Sequence, residues 1–69
     1  MSVESLCDRE LEVFELVGQG LITRQIAQQM HLEVSTIETY RARIKEKLKL
    51  KDAAELLQHA IQWNMSRRV

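Results

Sequence analysis

Residues 19–48, QGLITRQIAQQMHLEVSTIETYRARIKEKL, decide the fold of this chain. Apolar residues recur there at helical spacing and predict a short helix over Thr23–Met30 and a longer one over Val34–Leu48. A period-two alternation in residues 41–51 would also suit a strand, but Ala42 and Glu46 interrupt it, and Lys, Arg, Glu and Ala favour helix. Two helices joined by so short a turn are typical of a helix-turn-helix motif. The predicted core positions in this stretch are Ile26, Ala27, Met30, Leu32, Ile37, Ile44 and Leu48.

Two further helices are predicted on either side of this stretch. The first covers about residues 8–17, with Asp8, Glu10 and Glu12 in its opening turns, where they suit the helix dipole and form a charged face rather than a catalytic pair. Gly18 and Gly20 end it, and Gly20 is expected to be left-handed. The last covers residues 53–63, where Asp52 and Glu55 resemble a capping box. The predicted fold is therefore all-α, a four-helix bundle containing a helix-turn-helix. It occupies residues 6–63, between a flexible N-terminal segment (1–5) and a frayed tail (64–69).

Composition narrows the function classes. With 69 residues the chain is one small domain, which leaves little room for an enzyme pocket beside a core. Neither a nucleophile–base pair nor a phosphate loop is visible, so an enzyme is not expected. His31, His59 and Cys7 are too scattered for a metal site, and we expect no cofactor and no small-molecule ligand. A single cysteine, no membrane-length apolar run and no signal pattern point to the cytoplasm.

The charge distribution is uneven although the formal net charge is zero. Residues 1–33 carry a net charge of −4, residues 34–51 carry +4, and residues 52–69 are balanced. A positive field concentrated on the second helix of the motif suits a nucleic-acid partner, although a charged run is also common on a solvated face. The major groove, about 12 Å wide, admits one α-helix, while the preceding helix braces against the backbone.

At this point the sequence resembles the LuxR/FixJ-type helix-turn-helix domain of bacterial response regulators and related activators. The resemblance covers residues 6–62 and is carried by Arg9-Glu10, Val13, Leu16, Gly20, Ile26-Ala27, Leu32, Thr36-Ile37-Glu38-Thr39-Tyr40, Ile44, Lys47-Leu48 and Ala54. It implies that the third helix reads the major groove and that the fourth forms a dimer on DNA. It also implies an upstream sensory or phosphoacceptor domain.

Three positions depart from the family pattern. Cys7, Ile22 and Glu33 stand where the family usually has serine or threonine, each at a predicted helix N-cap. Losing such a cap typically costs about 0.5–2 kcal/mol. Thr23 and Ser35 offer replacement caps if two of the helices start one residue later.

Candidate DNA contacts fall into two sets. Hydroxyl and basic side chains on adjoining helical rows are assigned to phosphates: Thr36, Tyr40, Arg43 and Lys47, together with Thr23 and Arg24 at the start of the second helix. The resemblance points Glu38, Thr39 and Ala42 at base edges, and Arg41 is added for guanine or phosphate. Alternatives remain, because Tyr40 also suits the rim of the core and Glu38 could pair with Arg41 three residues on.

The fourth helix carries the dimer hypothesis. Ala54, Leu57, Gln58 and Ile61 share a stripe on a helix with more than one apolar side, which suggests a partner, although burial in a small core is the alternative. Trp63 is expected to pack over the edge of the core.

The resulting prediction is sequence-specific binding of double-stranded DNA by a homodimer, as the output domain of a two-component response regulator that recruits or blocks RNA polymerase. Half-sites are expected about one helical turn apart. A promoter-reading domain of a sigma factor shares the arrangement and is one alternative. A helical protein-interaction module that never meets DNA is another, and it would account for the zero net charge.

Overall fold

Residues 3–66, the Glu4 side chain excepted, are described by a computed structural model of the chain. They form a short 3-10 helix, Val3–Ser5, and the helices α1 (Asp8–Gly18), α2 (Thr23–Met30), α3 (Val34–Leu48) and α4 (Ala53–Ser66). The all-α, four-helix prediction is confirmed, and α2 and α3 have the predicted bounds. Over this part of the chain there is no strand, and no helix is long and apolar enough to cross a bilayer.

A single apolar core joins the four helices. α1 is the central element, because it packs against α4, α3 and α2. The largest apolar side chains that are fully buried in the core are those of Val13, Phe14, Ile26, Ile37, Ile44 and Leu56. The Trp63 ring closes one edge, with its centroid 5.5 Å from that of Phe14 and the two planes at 52°. The predicted packing role of Trp63 is confirmed.

Two helices run beyond their predicted ends because of contacts between α1 and α4. α1 includes Gly18, where a Cβ would lie 2.5 Å from the carbonyl oxygen of Ala60, so the missing side chain admits the close approach of α4. α4 continues to Ser66 rather than ending at Trp63. The Asn64 side chain donates to the Glu15 carbonyl of α1 at 3.0 Å, which holds that last turn in place. Residues 64–66 of the predicted frayed tail are thus helical, and residues 67–69 lie outside the described part.

The predicted flexible segment, residues 1–5, has a helical turn where it is described. Val3–Ser5 form a turn that the Leu6 N–H closes on the Val3 carbonyl at 3.0 Å, and Leu6 is buried. Val3 packs against the core. Residues 1 and 2 lie outside the described part of the chain.

The helix caps follow the predicted positions but use other groups. Cys7, Ile22 and Glu33 are the N-caps of α1, α2 and α3, so the shift to Thr23 or Ser35 is wrong. The carboxylate of Glu10 accepts the Cys7 N–H at 3.1 Å, and Gln25 Oε1 accepts the Ile22 N–H at 3.0 Å. In α1 and α2, the side chain of the third helical residue thus accepts the backbone N–H of the N-cap residue.

Left-handed residues end α2 and α3 and form the turn after α1. Gly20 has φ of 91°, which confirms its prediction. His31 and Lys49, at φ of 58° and 57°, end α2 and α3. This backbone region favours glycine over residues with a Cβ.

Candidate nucleic-acid interface

The turn between α2 and α3 fixes how the two helices meet. His31 reverses the chain, and the Leu32 N–H donates to the Ala27 carbonyl at 2.9 Å. Leu32 is half-buried against the core, so the turn is anchored from inside. Ala27, a small buried residue of α2, faces the same core. The motif predicted from residues 19–48 is therefore present as a packed unit.

α3 has one apolar side and one polar side. Ile37 and Ile44 are 0% exposed and Leu48 is buried, so the rotation of the helix about its axis is set by the core. The outward side is formed by Ser35, Glu38, Thr39, Ala42, Arg43 and Glu46, and Val34 and Lys47 are exposed as well. This outward set, together with the basic residues that follow it, belongs to the segment whose net charge is +4.

Three of the four predicted base-contacting residues lie together on this outward side. Glu38, Thr39 and Ala42 are exposed. The Thr39 hydroxyl donates to the Ser35 carbonyl at 3.1 Å, so its proton is already used within the helix. Within residues 3–66 no ion pair joins Glu38 to Arg41, and the alternative of a local pair is not what the structure shows. The Glu38 carboxylate therefore faces solvent without a cation beside it.

Arg41 lies apart from those three residues. It is half-buried and lines a groove with Ile22, at the start of α2, and with Ala54 and Leu57 of α4. The side of α3 that bears Arg41 thus faces the neighbouring helices. The contact of Arg41 with a base or a phosphate stays a prediction. Its side chain lies beside α2 and α4, whereas that of Glu38 faces solvent.

The predicted phosphate-contacting residues differ in exposure. Arg24 and Arg43 are exposed, and Thr23 and Thr36 are half-buried. Tyr40 is half-buried as well, and it packs against the core. The rim position for Tyr40 is therefore confirmed, and its phosphate contact stays a prediction.

Lys47, the remaining predicted phosphate contact, has an internal partner. Its Nζ lies 2.7 Å from Oε1 of Glu10 and 3.3 Å from the carbonyl oxygen of Ser5. Glu10 is 1% exposed, so its assignment to a charged surface face is wrong. The carboxylate is drawn inward because Lys47 and the Cys7 N–H both reach it there.

The electrostatics of Glu10 follow from these contacts. Burial alone would raise the pKa of the Glu10 carboxyl. Hydrogen bonds from Lys47 and the Cys7 backbone, with the charge of Lys47, outweigh burial and hold that pKa below its ordinary value. Glu10 is therefore a charged carboxylate at neutral pH, and it needs its cation.

Sequence reasoning missed two features of this surface. Ser35 lies on the outward side of α3, three and four residues before Glu38 and Thr39, so helical spacing alone could have included it. The Glu10–Lys47 pair joins residues 37 positions apart, and spacing cannot reveal such a contact.

α4 divides its apolar residues between the core and the surface. Leu56 and Ala60 are 0% exposed, whereas Leu57 and Ile61 are 40% and 38% exposed. Complete burial of the predicted dimer stripe is thus wrong. Ala54 and Gln58, the other members of that stripe, are exposed, and Met65 extends it at 67% exposure.

Comparisons with known proteins match bacterial regulatory proteins. A family model described as bacterial regulatory proteins, luxR family, matches residues 4–60. The transcriptional regulatory protein DesR of Bacillus subtilis is 42% identical over 52 residues, or 75% of this chain and 26% of DesR. The tetrathionate response regulatory protein TtrR of Salmonella typhimurium is 39% identical over 54 residues, or 78% of this chain and 26% of TtrR.

The oxygen regulatory protein NreC of Staphylococcus carnosus is 36% identical over 56 residues, or 81% of this chain and 26% of NreC. The match thus spans about a quarter of the length of these curated relatives. No solved structure gives a significant match.

Proposed function

The chain belongs to the luxR family of bacterial regulatory proteins, and on that premise we propose that α3 enters the major groove of double-stranded DNA and reads its sequence. Members of this family bind DNA and regulate transcription, and they are not enzymes. The observation that carries the proposal is the outward polar side of α3, held at a fixed rotation by Ile37 and Ile44. A helix of 15 residues is about 22 Å long and fits the groove.

The exposed residues suggest how the contacts are divided. Glu38 can accept from cytosine N4, and the methyl groups of Thr39 and Ala42 can touch the thymine methyl. Ser35 joins them because it shares their side of α3. We assign phosphate contacts to Thr23, Arg24, Thr36, Tyr40 and Arg43, and we keep Arg41 as a contact to guanine or phosphate. Lys47 is left out of the phosphate set because its ammonium is bound to Glu10.

Relatives support a role within a longer regulator. TtrR and VraR carry the words response regulatory protein or response regulator in their names, and the chain matches 26% and 30% of their lengths. We therefore propose that this domain is the output module of a cytoplasmic two-component response regulator. An upstream domain would control its access to DNA, and the bound protein would recruit or block RNA polymerase.

α4 is the proposed dimer surface. Leu57 and Ile61 are large apolar side chains left partly exposed beside exposed Ala54 and Gln58. A second copy seated on this stripe would remove that apolar surface from water. Two α3 helices would then lie on successive major grooves about 10 base pairs apart.

DNA binding is tested by titrating the domain with genomic fragments over a salt series. Each phosphate neutralised adds about 0.9 to the slope of log K against log salt. We expect Arg43→Ala to weaken binding and to lower that slope by about 0.9. Arg9→Ala is the matched control, because Arg9 is also exposed but lies on α1 beside Glu12, 3.8 Å away. Equal losses in both variants, or no binding at low salt even by a tethered dimer, would refute the proposal.

Dimerisation is tested on DNA that carries one or two half-sites taken from the bound fragments. Ile61→Asp places a charge in the proposed interface, so we expect single half-site affinity to remain and cooperative filling of the second half-site to disappear. Gln62→Glu adds a charge of the same sign at the next position of α4, which is also exposed, and serves as the control. Sedimentation of the complexes reports the number of chains bound. Cooperative binding by the Ile61 variant would exclude α4 as the interface.

A further inference from the structure

Lys47, in the last turn of α3, has a use that differs from that of the other basic residues of the helix. We propose that Lys47 is a positioning residue, which fixes α3 through Glu10 and binds no phosphate itself. The inference rests on the proposed function, since it concerns the helix that we propose reads DNA. Under this proposal, the affinity of the domain for DNA depends on Glu10, a buried residue of α1 that does not itself contact DNA.

The geometry ties three segments of the chain at one ammonium group. Lys47 Nζ lies 2.7 Å from the Glu10 carboxylate of α1 and 3.3 Å from the carbonyl oxygen of Ser5. An ammonium has three donors, so these two bonds use most of its capacity. Ser5 ends the 3-10 helix, so the same group also joins α3 to the segment that leads into α1. The C-terminal half of α3 is thus held by polar bonds in addition to the apolar contact of Ile44.

The burial of Glu10 explains why Lys47 stays where it is. Glu10 is 1% exposed, and besides Lys47 its carboxylate accepts hydrogen bonds from the backbone and the side chain of Cys7. A lysine that left for a DNA phosphate would exchange one anion for another. It would also leave a buried carboxylate without a cation, which is strongly unfavourable. A phosphate contact would release a counterion from the DNA, but the buried carboxylate would still lack its cation.

The contacts of Lys47 affect the tilt of α3 relative to the rest of the domain. Three of its proposed base-contacting residues, Ser35, Glu38 and Thr39, lie in the N-terminal half of α3, and its polar attachment lies at the other end. A small tilt about Ile44 would displace Glu38 and Thr39 from the groove floor. Glu10 and Lys47 oppose that tilt, since both are anchored to the start of α1.

Glu10→Gln separates positioning from phosphate binding, because the two predict opposite results. The substitution keeps the shape of the side chain and releases the Lys47 ammonium. Under our proposal, affinity for a cognate fragment falls about tenfold, in the range of coupled neighbouring residues, and the salt slope is unchanged. If Lys47 binds phosphate, affinity holds or rises, and Lys47→Met lowers the slope by about 0.9. Either of those two results would overturn the proposal.

Two controls frame the experiment. Arg43→Met removes a proposed phosphate contact and should lower the slope, which shows that the assay detects one phosphate. The double variant of Glu10→Gln and Lys47→Met should bind DNA no more weakly than whichever single variant has the lower affinity, because both substitutions break the same contact. Additive losses would mean that Lys47 acts independently of Glu10 and would contradict the proposal.

A measurement on the unsubstituted chain covers the case in which Glu10→Gln does not fold. The Glu10 carboxyl carbon is titrated by NMR in the free domain and in its DNA complex. We expect that pKa to stay below its ordinary value in both, because Lys47 stays bound to Glu10, although the negative charge of DNA raises it somewhat. A rise to or above the ordinary glutamate pKa in the complex would show that Lys47 has moved to DNA, and the inference would fail. Absence of DNA binding by the unsubstituted chain would instead refute the proposed function.

Discussion

Gly18 should resist replacement by alanine although it lies inside a helix. Gly18→Ala normally stabilises a helix by up to about 1 kcal/mol, because glycine has the larger conformational entropy in the unfolded chain. Here an added Cβ would lie 2.4 Å from Asn64 Nδ2 and 2.5 Å from the Ala60 carbonyl oxygen. The first atom ends a flexible side chain, but the second is backbone at the centre of α4. The two helices must therefore separate.

The magnitude follows from these two contacts. Overpacking of a tight contact costs about 1–3 kcal/mol. Displacing Asn64 also breaks its bond to the Glu15 carbonyl, with a net loss of about 1 kcal/mol. After the gain in helix propensity is subtracted, Gly18→Ala should destabilise the domain by about 2 kcal/mol. For a chain of this size that lowers the melting temperature by on the order of 10 °C.

Urea and thermal unfolding followed by circular dichroism would measure this loss. Asn64→Ala alone should cost about 1 kcal/mol. The double variant separates the two contacts, because it removes the side-chain clash and keeps the clash with the Ala60 carbonyl. We expect the double variant to be less stable than Asn64→Ala. A Gly18→Ala domain as stable as the unsubstituted one would show that α1 and α4 do not approach as closely as described.

Two further predictions concern pH and backbone conformation. Because the pKa of Glu10 is lowered on folding, its contribution to stability is present above its ordinary pKa and is lost as pH falls through the lowered value. The stability difference between the unsubstituted chain and Glu10→Gln should therefore shrink in urea titrations as pH falls below the ordinary glutamate pKa, and a difference that is constant with pH would contradict this assignment. His31→Gly should stabilise the domain by about 0.5 kcal/mol, because φ of 58° favours glycine. Gln29→Gly, at an exposed position inside α2, is the control and should cost about 1 kcal/mol. Equal effects of the two glycines on the melting temperature would be inconsistent with strain at His31.

The order and kind of the helices could be predicted because local signals agree with the fold. α2 and α3 have apolar residues at helical spacing, and their observed bounds agree with the approximate ones that were predicted. The ends of α1 and α4 could not be predicted, because they depend on each other. Gly18 continues α1 since Ala60 packs against it, and Asn64 continues α4 since the Glu15 carbonyl accepts from it.

The candidate interface was predictable to the extent that exposure follows from helical spacing. Glu38, Thr39 and Ala42 lie opposite the apolar residues of α3 and are exposed as expected. The charge pattern of the sequence did not reveal the pairing of Glu10 with Lys47, because a residue's charge does not show where its partner is. Only the packing of α1 on α3 brings these two together, and it pairs a buried carboxylate with a partly exposed ammonium.

The division of α3 into two sides has a consequence for how such a chain can change over generations. Ser35, Glu38, Thr39 and Ala42 contribute nothing to the buried core. Substitutions at positions of this kind usually alter stability by no more than about 0.5 kcal/mol. Mutations there can therefore accumulate while the domain still folds, so duplicated copies of the chain are free to diverge in the DNA sequence that they prefer. The same four positions could be randomised together in a library with little loss of folded members.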